Sequence, residues 1–417
     1  MPTELRLYES APPVVLELDD TAAHALAGSG VVAVVPCGPG TWELRAARKV
    51  GVVSLGDLTV WIHPKIAIRQ LFWLLGWARR PGWTPSEDVE YAPDEELVPV
   101  IAEAFASQAE RALETGLLQG YLEVDAAEPV LRGRLRAAEQ LRRRHGLAVP
   151  LLVRYDDYGP DIIENQLLRA ATSSLLRIPG VEGSVRSRLR ALRGLLADVS
   201  DLPVRAPHRR WLPTRLNARY HNALWLAEIV LASHAVDHLP GGVRLEGFLV
   251  DLYQVFEDFV TSTLSTELER QAGGACHKQD EFTLDDGGDI DIRPDLVWRL
   301  DGNPAAVVDA KYKAERPSGF PQADLYQGLA YATAYGLSTA HLVYAKGNES
   351  EQTWKVRKSR VSITAHSLDL SSPPPKVLEQ VERLAALIAK QGLRDVMFGS
   401  ASLTAPPPRG DLSGRPT

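Results

Sequence analysis

Residues Arg293-Pro294-Asp295-Leu296-Val297 are followed, after Asp301-Gly302-Asn303-Pro304, by Val307-Val308-Asp309-Ala310-Lys311. The two runs read as adjacent β-strands joined by a turn, because apolar, β-branched residues flank a turn-forming cluster. Strand side chains alternate faces, so Asp309 and Lys311 share one side. If the strands pair, Asp295 meets them there. A carboxylate and an ammonium at the end of an apolar strand are costly to bury without a partner or a metal. Two carboxylates plus an ammonium on one face form the arrangement that holds a divalent metal and a water beside a phosphodiester. Metal-assisted hydrolysis of such a bond is therefore the first expectation. Asp295, Asp309 and the Ala310 carbonyl would hold Mg²⁺, with Mn²⁺ as the alternative. Lys311 would orient or help deprotonate the attacking water.

The chain has 417 residues, 45% apolar and 24% charged, which implies two or three domains. No apolar run reaches bilayer length, and Met1-Pro2-Thr3-Glu4-Leu5 does not open a secretory signal. A cytoplasmic location with no membrane association is expected. Cys37 and Cys276 lie far apart, and the ten histidines form no cluster with them, which argues against a disulfide framework and against zinc. Gly38-Pro39-Gly40 has no following Gly-Lys-Ser/Thr, so the chain carries no phosphate loop of its own. Net charge is −7, but residues 131–220 hold 18 arginines, no lysine and eight acids. That segment is +10 and the rest −17. A basic middle between acidic flanks is either a footprint for nucleic acid or an acidic partner, or a helical region with solvated arginine faces. Arg132, Arg134, Arg142, Arg143 and Arg144 are its candidate DNA contacts.

Along the chain the expected class is multidomain α/β. Residues 1–90 read as a mixed, mostly β domain, with strands at Val14–Leu18, Val31–Val35 and Leu58–Ile62 and helical spacing from Ile66 to Trp77. Residues 91–240 read as a mainly helical, arginine-rich region with helices near Glu95–Leu118, Ile162–Leu176, Val185–Leu196 and Leu216–Ala235. The turn cluster Leu239-Pro240-Gly241-Gly242 marks a boundary. Residues 241–400 form the domain of the motif strands, with a mixed central sheet flanked by helices. An amphipathic helix opens it through Phe248, Leu249, Leu252, Val255, Phe256, Phe259 and Leu264. Strands near Cys276–Thr283, Asp291–Leu300 and Ala305–Lys313 follow, then a helix over Pro321–Tyr335 and a strand over Ala340–Tyr344. Residues 401–417, rich in Pro, Gly and Arg, read as a disordered tail.

Further candidates lie on these elements. Glu257 or Asp258 sits at the margin of the opening helix's buried face, as a surface carboxylate or as a further metal or water ligand. Gln327 and Tyr331 are an i, i+4 pair on one helix face. They either join the core or hydrogen-bond phosphates and catalytic groups. Asp289 and Asp291 are auxiliary ligands or part of a solvated turn. Lys313 lies two beyond Lys311 and either substitutes for it or touches a phosphate.

Together these residues resemble a PD-(D/E)xK nuclease domain. Pro294-Asp295 and Asp309-Ala310-Lys311 match the core motif, Gln327 to Tyr331 matches the QxxxY motif of the RecB-like branch, and Glu257 matches that branch's helix acid. Phe248 through Val260, with Arg293-Pro294-Asp295 and Asp309-Ala310-Lys311-Tyr312-Lys313, is similar to the McrC family. So are Gly133-Arg134, Arg142-Arg143-Arg144, Tyr155-Asp156-Asp157, Glu164-Asn165-Gln166-Leu167-Leu168 and Leu216-Asn217-Ala218-Arg219-Tyr220. The likeness covers about residues 130–345. It implies the nuclease subunit of a McrBC-type, modification-dependent restriction system, acting on modified double-stranded DNA. It also implies a partner, McrB, an AAA+ GTPase hexamer that reads methylated cytosine and translocates DNA. Residues 1–130 would dock on that partner. Delegated affinity would explain how a DNA-cutting chain can be acidic overall. Two other readings stay open: a non-catalytic activator of an AAA+ partner, and a stand-alone RecB-like repair nuclease.

Overall fold

The computed structural model describes residues 3–9, 11–79, 96–144, 149–202, 211–238, 244–312, 320–345 and 351–399. The linker over 86–95, the turn cluster at 239–242, Lys313 and the tail over 401–417 lie outside these residues. The chain divides into two compact units, Met1–Ile68 with Ser86–Val250, and Arg69–Pro85 with Asp251–Thr417. Apart from Arg69–Pro85, the regions read from sequence as an N-terminal domain and an arginine-rich middle fall together in the first.

The first unit begins with β1 (Thr3–Tyr8), β2 (Val14–Glu17), α1 (Asp20–Gly28), β3 (Val32–Gly38), β4 (Thr41–Ala46), β5 (Lys49–Leu55) and β6 (Leu58–His63). Asp19 starts α1 by accepting the Ala22 N–H at 2.8 Å, which satisfies one of the open donors of the first turn. After α2 (Ile68–Arg79), nearly all of which belongs to the second unit, the first resumes with α3 (Leu97–Leu113), β7 (Gly120–Glu128), β8 (Arg134–Leu135), α4 (Ala137–Arg144) and β9 (Leu151–Gly159). Then come α5 (Ile163–Arg177), α6 (Gly183–Leu195), a 3₁₀ turn at Ala218–Tyr220, α7 (His221–Ser233), β10 (His234–His238) and β11 (Arg244–Asp251). One sheet runs β1-β6-β5-β11-β10, a second β2-β4-β3 and a third β7-β9-β8. Gly247 lets β11 pass β5 closely: a Cβ there would lie 2.4 Å from the Val52 carbonyl oxygen. Helices α3, α5, α6 and α7 pack on one another. Arg188 on α6 fastens them by reaching Glu103 and Glu110 of α3 at 2.6 and 2.7 Å.

The middle region is less helical than its sequence implies. Leu122, Val124 and Ala126 alternate with Glu123 and Asp125 on β7, and β7 and β9 pair along their whole length. A second difference concerns the helix expected to start at Phe248. Phe248, Leu249 and Val250 extend β11, and Asp251 ends the strand. The Asp251 side chain then accepts from the Tyr253 and Gln254 N–H groups at 3.0 and 3.4 Å, so the helix starts at Leu252.

The second unit continues with α8 (Leu252–Ala272), β12 (Ala275–Lys278), β13 (Phe282–Thr283), β14 (Asp291–Ile292), β15 (Leu296–Leu300) and β16 (Asn303–Lys311). It ends with α9 (Gln322–Ala334), β17 (Thr339–Ala345), β18 (Gln352–Lys355), β19 (Ser362–Leu368) and α10 (Pro374–Gly399). Its six-stranded mixed sheet runs β12-β15-β16-β17-β19-β18. Asp301 and Gly302, at φ 49° and 83°, form the two-residue turn between β15 and β16. Two successive left-handed residues are what a tight antiparallel hairpin requires, and Asp-Gly provides them cheaply. Strands β16, β17 and β19 run parallel. On one face α9 packs over Val297, Val307 and Ala340 through Tyr331 and Ala332. Phe256 of α8 reaches Tyr312, the residue after β16, whose side chain lies on the opposite face from Lys311. The apolar strand centres are thus buried, and polar chemistry collects at the C-terminal end of β16, where parallel α/β sheets open their clefts.

Candidate active site

Antiparallel pairing sets Leu296 opposite Val308, which brings Asp295, the residue just before β15, level with Asp309. Asp295 is 9% exposed and Asp309 2%. The Asp295 Oδ2 accepts the Ala310 N–H at 2.8 Å, fixing that carboxylate against β16. The Lys311 ammonium forms an ion pair with Asp309 Oδ2. That oxygen is buried, and the lysine is the partner it has there. Burial pushes both carboxyls well above the usual carboxylate range. The Glu257 charge adds to this at Asp295, and the Asp295 charge adds to it at Asp309.

Helix α9 completes the site from one side. Lys311 Nζ donates to Gln327 Oε1 at 2.9 Å, and Gln327 Nε2 donates to the Tyr331 hydroxyl at 2.6 Å. That hydroxyl donates to the Arg293 carbonyl at 3.2 Å. The chain of donors fixes the lysine through a helix that is itself packed on the sheet. Burial, followed by the Asp309 charge, raises the Tyr331 phenol, so it stays a donor at neutral pH.

From α8, Glu257 rather than Asp258 turns inward. Asp258 is exposed and accepts from Gln254 at 3.0 Å. Glu257 accepts a hydrogen bond from Gln279, whose same amide nitrogen donates to Asp295 Oδ1 at 3.1 Å. Burial and the Asp258 charge raise the Glu257 carboxyl. The structure thus gathers Asp295, Asp309, Ala310 and Lys311 with Gln327 and Tyr331, and links Glu257 in through Gln279. Two further polar residues belong to this neighbourhood without having been singled out by sequence. Gln279 lies in no motif. Asp324 is buried on the same helix as Gln327, accepts from the Tyr344 hydroxyl at 3.1 Å and adds to the charge felt by Asp309. Its spacing of three from Gln327 was the available signal.

Asp289 and Asp291 are exposed, and Asp289 belongs to a turn in which Asp285 accepts its N–H at 3.0 Å. The candidate DNA-contacting arginines belong to the first unit. Arg132 is held by Asp157 at 2.8 Å and stacks over Tyr155 at 3.9 Å, while Arg134, Arg142 and Arg143 are exposed. Arg144 ends α4, and its side chain lies outside the described residues.

No three His, Cys, Asp or Glu side chains form a ready metal cage among the described residues. Two buried carboxylates and a main-chain carbonyl are nevertheless a sufficient protein share for Mg²⁺, which keeps several of its waters. Asp309 Oδ2 already faces a cation, the Lys311 ammonium, and such an ion would take that place.

The sequence matches the family described as "McrBC 5-methylcytosine restriction system component" over residues 44–345. The chain belongs to that family. No curated protein matches this McrBC component. A chain of the refined half-complex from a tetradecameric assembly of Thermococcus gammatolerans McrB AAA+ hexamers with bound McrC is similar in structure. That likeness spans 93% of the present chain and 100% of the other, at 19% identity and a TM-score of 0.58. A chain of the cryo-EM Thermococcus gammatolerans McrBC complex is similar over 64% and 88%, at 21% identity and a TM-score of 0.39. At 19% identity the first likeness is one of fold. No described helix of this McrBC component is long and apolar enough to cross a membrane.

Proposed function

We propose that this McrBC component is the Mg²⁺-dependent endodeoxyribonuclease subunit of a methylation-dependent restriction system, with a PD-(D/E)xK, RecB-like catalytic unit. The observation that carries the reading is the buried Asp295–Asp309 pair beside Lys311 at the end of a parallel strand. Burying two acids and a lysine costs stability unless they are paired or hold a metal, and such groups cluster at functional sites.

Asp295, Asp309 and the Ala310 carbonyl would hold the ion. When bound, a divalent cation supplies charge neutralisation at the phosphodiester and a lowered pKa for an attacking water. Lys311, relieved of Asp309, directs its ammonium at that water or at the developing negative charge on phosphorus. Gln327 and Tyr331 keep the lysine aimed, because each is anchored to the next and the last to the backbone.

The partner is an AAA+ NTPase hexamer of the McrB kind, since the fold is shared with a chain of an assembly of McrB AAA+ hexamers with bound McrC. Specificity for modified double-stranded DNA is delegated to that partner, and the arginines of residues 131–220 give local contacts to phosphates.

The test is cleavage of methylated and unmethylated plasmid by the chain with its AAA+ partner, nucleotide and Mg²⁺. Asp309→Ala and Lys311→Ala should each lose at least about 10²-fold in rate with unchanged circular dichroism. Undiminished cleavage by both variants would remove the site assignment.

A further inference from the structure

Gln279 follows β12 and carries a left-handed backbone at φ 52°, a conformation that a residue with a side chain adopts at a cost. Both neighbours hold it there. Lys278 is paired with Leu296, and Asp280 is gripped by Arg299 at 2.7 Å and by the Tyr335 hydroxyl at 3.0 Å. The Gln279 N–H donates to the Asp295 carbonyl at 3.1 Å, so its backbone is registered on the motif aspartate itself. Its side-chain amide then donates to Glu257 and, at 3.1 Å, to Asp295 Oδ1. An amide NH₂ has two hydrogens, and this one spends both on carboxylates.

We propose that Gln279 is a positioning residue of the metal centre, whose amide clamps Glu257 to Asp295 and sets the Asp295 carboxylate for a divalent cation. This rests on the reading of Asp295, Asp309 and the Ala310 carbonyl as the cation's donors. Among the described residues Asp295 Oδ2 accepts the Ala310 N–H at 2.8 Å and Oδ1 accepts from Gln279, with Asp309 in hydrogen-bond reach of the same carboxylate. A carboxylate oxygen has a second acceptor site. Holding the group from two elements fixes its orientation. Without the amide, Glu257 and Asp295 face each other with no donor between them, and the ligand must be ordered when the ion arrives. Outer partners of this sort are worth about 10–100-fold in metal affinity.

The experiment is titration of the full chain with Mn²⁺, reading free ion by electron paramagnetic resonance, for the native protein, Gln279→Gly, Gln279→Met and Asp309→Ala. Gln279→Gly removes the amide while suiting the left-handed backbone, so it retains the fold. Gln279→Met keeps the length without the donor. Both should raise the Mn²⁺ Kd about tenfold with the thermal midpoint of the metal-free protein near native, and excess Mn²⁺ should restore DNA cleavage. Native affinity in both variants overturns the clamp while leaving the metal centre standing. Identical titrations of the native chain and Asp309→Ala overturn the metal centre, and the clamp with it.

Discussion

Asp309 and Lys311 are paired in this structure, but burial outweighs that pairing in the pH behaviour of the site. The folded pKa of Asp295 and of Asp309 is raised, by burial first and then by nearby carboxylates. A raised carboxyl keeps its proton to higher pH, and a cation must displace that proton. Metal affinity should therefore rise with pH from the ordinary carboxylate range through neutrality, by up to about tenfold per unit for each proton released. Mn²⁺ titrations at about pH 6 and about pH 8 check the sign. Gln327→Leu, which removes the acceptor that α9 offers Lys311, should slow cleavage by about 10–100-fold while Mn²⁺ affinity stays native. Equal metal affinity with a lower rate at saturating metal is the expected pattern. At this scale the sequence is legible where chemistry coincides with an apolar strand. Val307-Val308 leading into Asp309 announces both a strand and its end. Gln279 is invisible because a lone glutamine after a short strand has no periodicity. Its role comes from a backbone turn and from two acids that lie 22 and 16 residues away.

At the scale of elements, the sheet of the second unit carries a buried imidazole pair. His341 on β17 and His366 on β19 lie with Nδ1 and Nε2 3.0 Å apart, and His366 faces Glu351 at 3.4 Å. Burial lowers them to about 3 and about 4 from 6.5. A lowered histidine pKa means that the unfolded chain takes up protons first. The stability from this pair is complete above pH 6.5 and is lost as pH falls below it, by about 2 kcal/mol per imidazole at about pH 5. The raised carboxyls of the site work in the opposite sense, so the pair must be isolated by difference. Relative to native, His341→Leu/His366→Leu should gain about 4 kcal/mol between about pH 7.5 and about pH 5 in urea unfolding. Helix α10 lies close to the same sheet: a Cβ on Gly392 would stand 2.6 Å from the Ala305 carbonyl oxygen and 2.8 Å from the Trp298 ring. Gly392→Ala should cost about 1–3 kcal/mol by overpacking, read from the urea midpoint. Elements with a clean apolar period, such as α5, α8 and β16, were legible in sequence. Strands β7 and β9 were passed over although β7 alternates Leu122, Val124 and Ala126 with Glu123 and Asp125, whose exposed face pairs with Arg154 of β9 at 2.7 Å. The start of α8 was misplaced for another reason. Phe248 and Leu249 fit the helical stripe equally well, and only the Asp251 cap distinguishes strand from helix.

For the whole molecule, charge is divided by segment rather than spread. The arginine-rich stretch, read from sequence either as a footprint for nucleic acid or an acidic partner or as solvated helix faces, spends part of its charge internally, with Arg132, Arg136, Arg154, Arg169 and Arg188 all paired to acids. Those pairs leave less free charge for phosphates, which fits a chain that relies on a partner to bring DNA to it. Cleavage without the AAA+ partner should accordingly be weak, and its rate should fall only shallowly with added salt. The class of the whole chain and the order of elements around the motif strands were legible because chemistry and apolar patterning reinforce each other there. The joining of the N-terminal strands and the arginine-rich helices into one unit was not, since β5 and β11 lie about 200 residues apart and pair through residues with no shared local signal. The account stands on one claim, that the buried acids at the end of β16 are a divalent-metal centre. Anomalous diffraction from crystals soaked in Mn²⁺ tests it most directly. The account predicts a peak coordinated by Asp295, Asp309 and the Ala310 carbonyl, with Lys311 turned away from Asp309. Full-occupancy Mn²⁺ elsewhere in the crystal, with Asp309 still paired to Lys311 and no peak between the two aspartates, would contradict it.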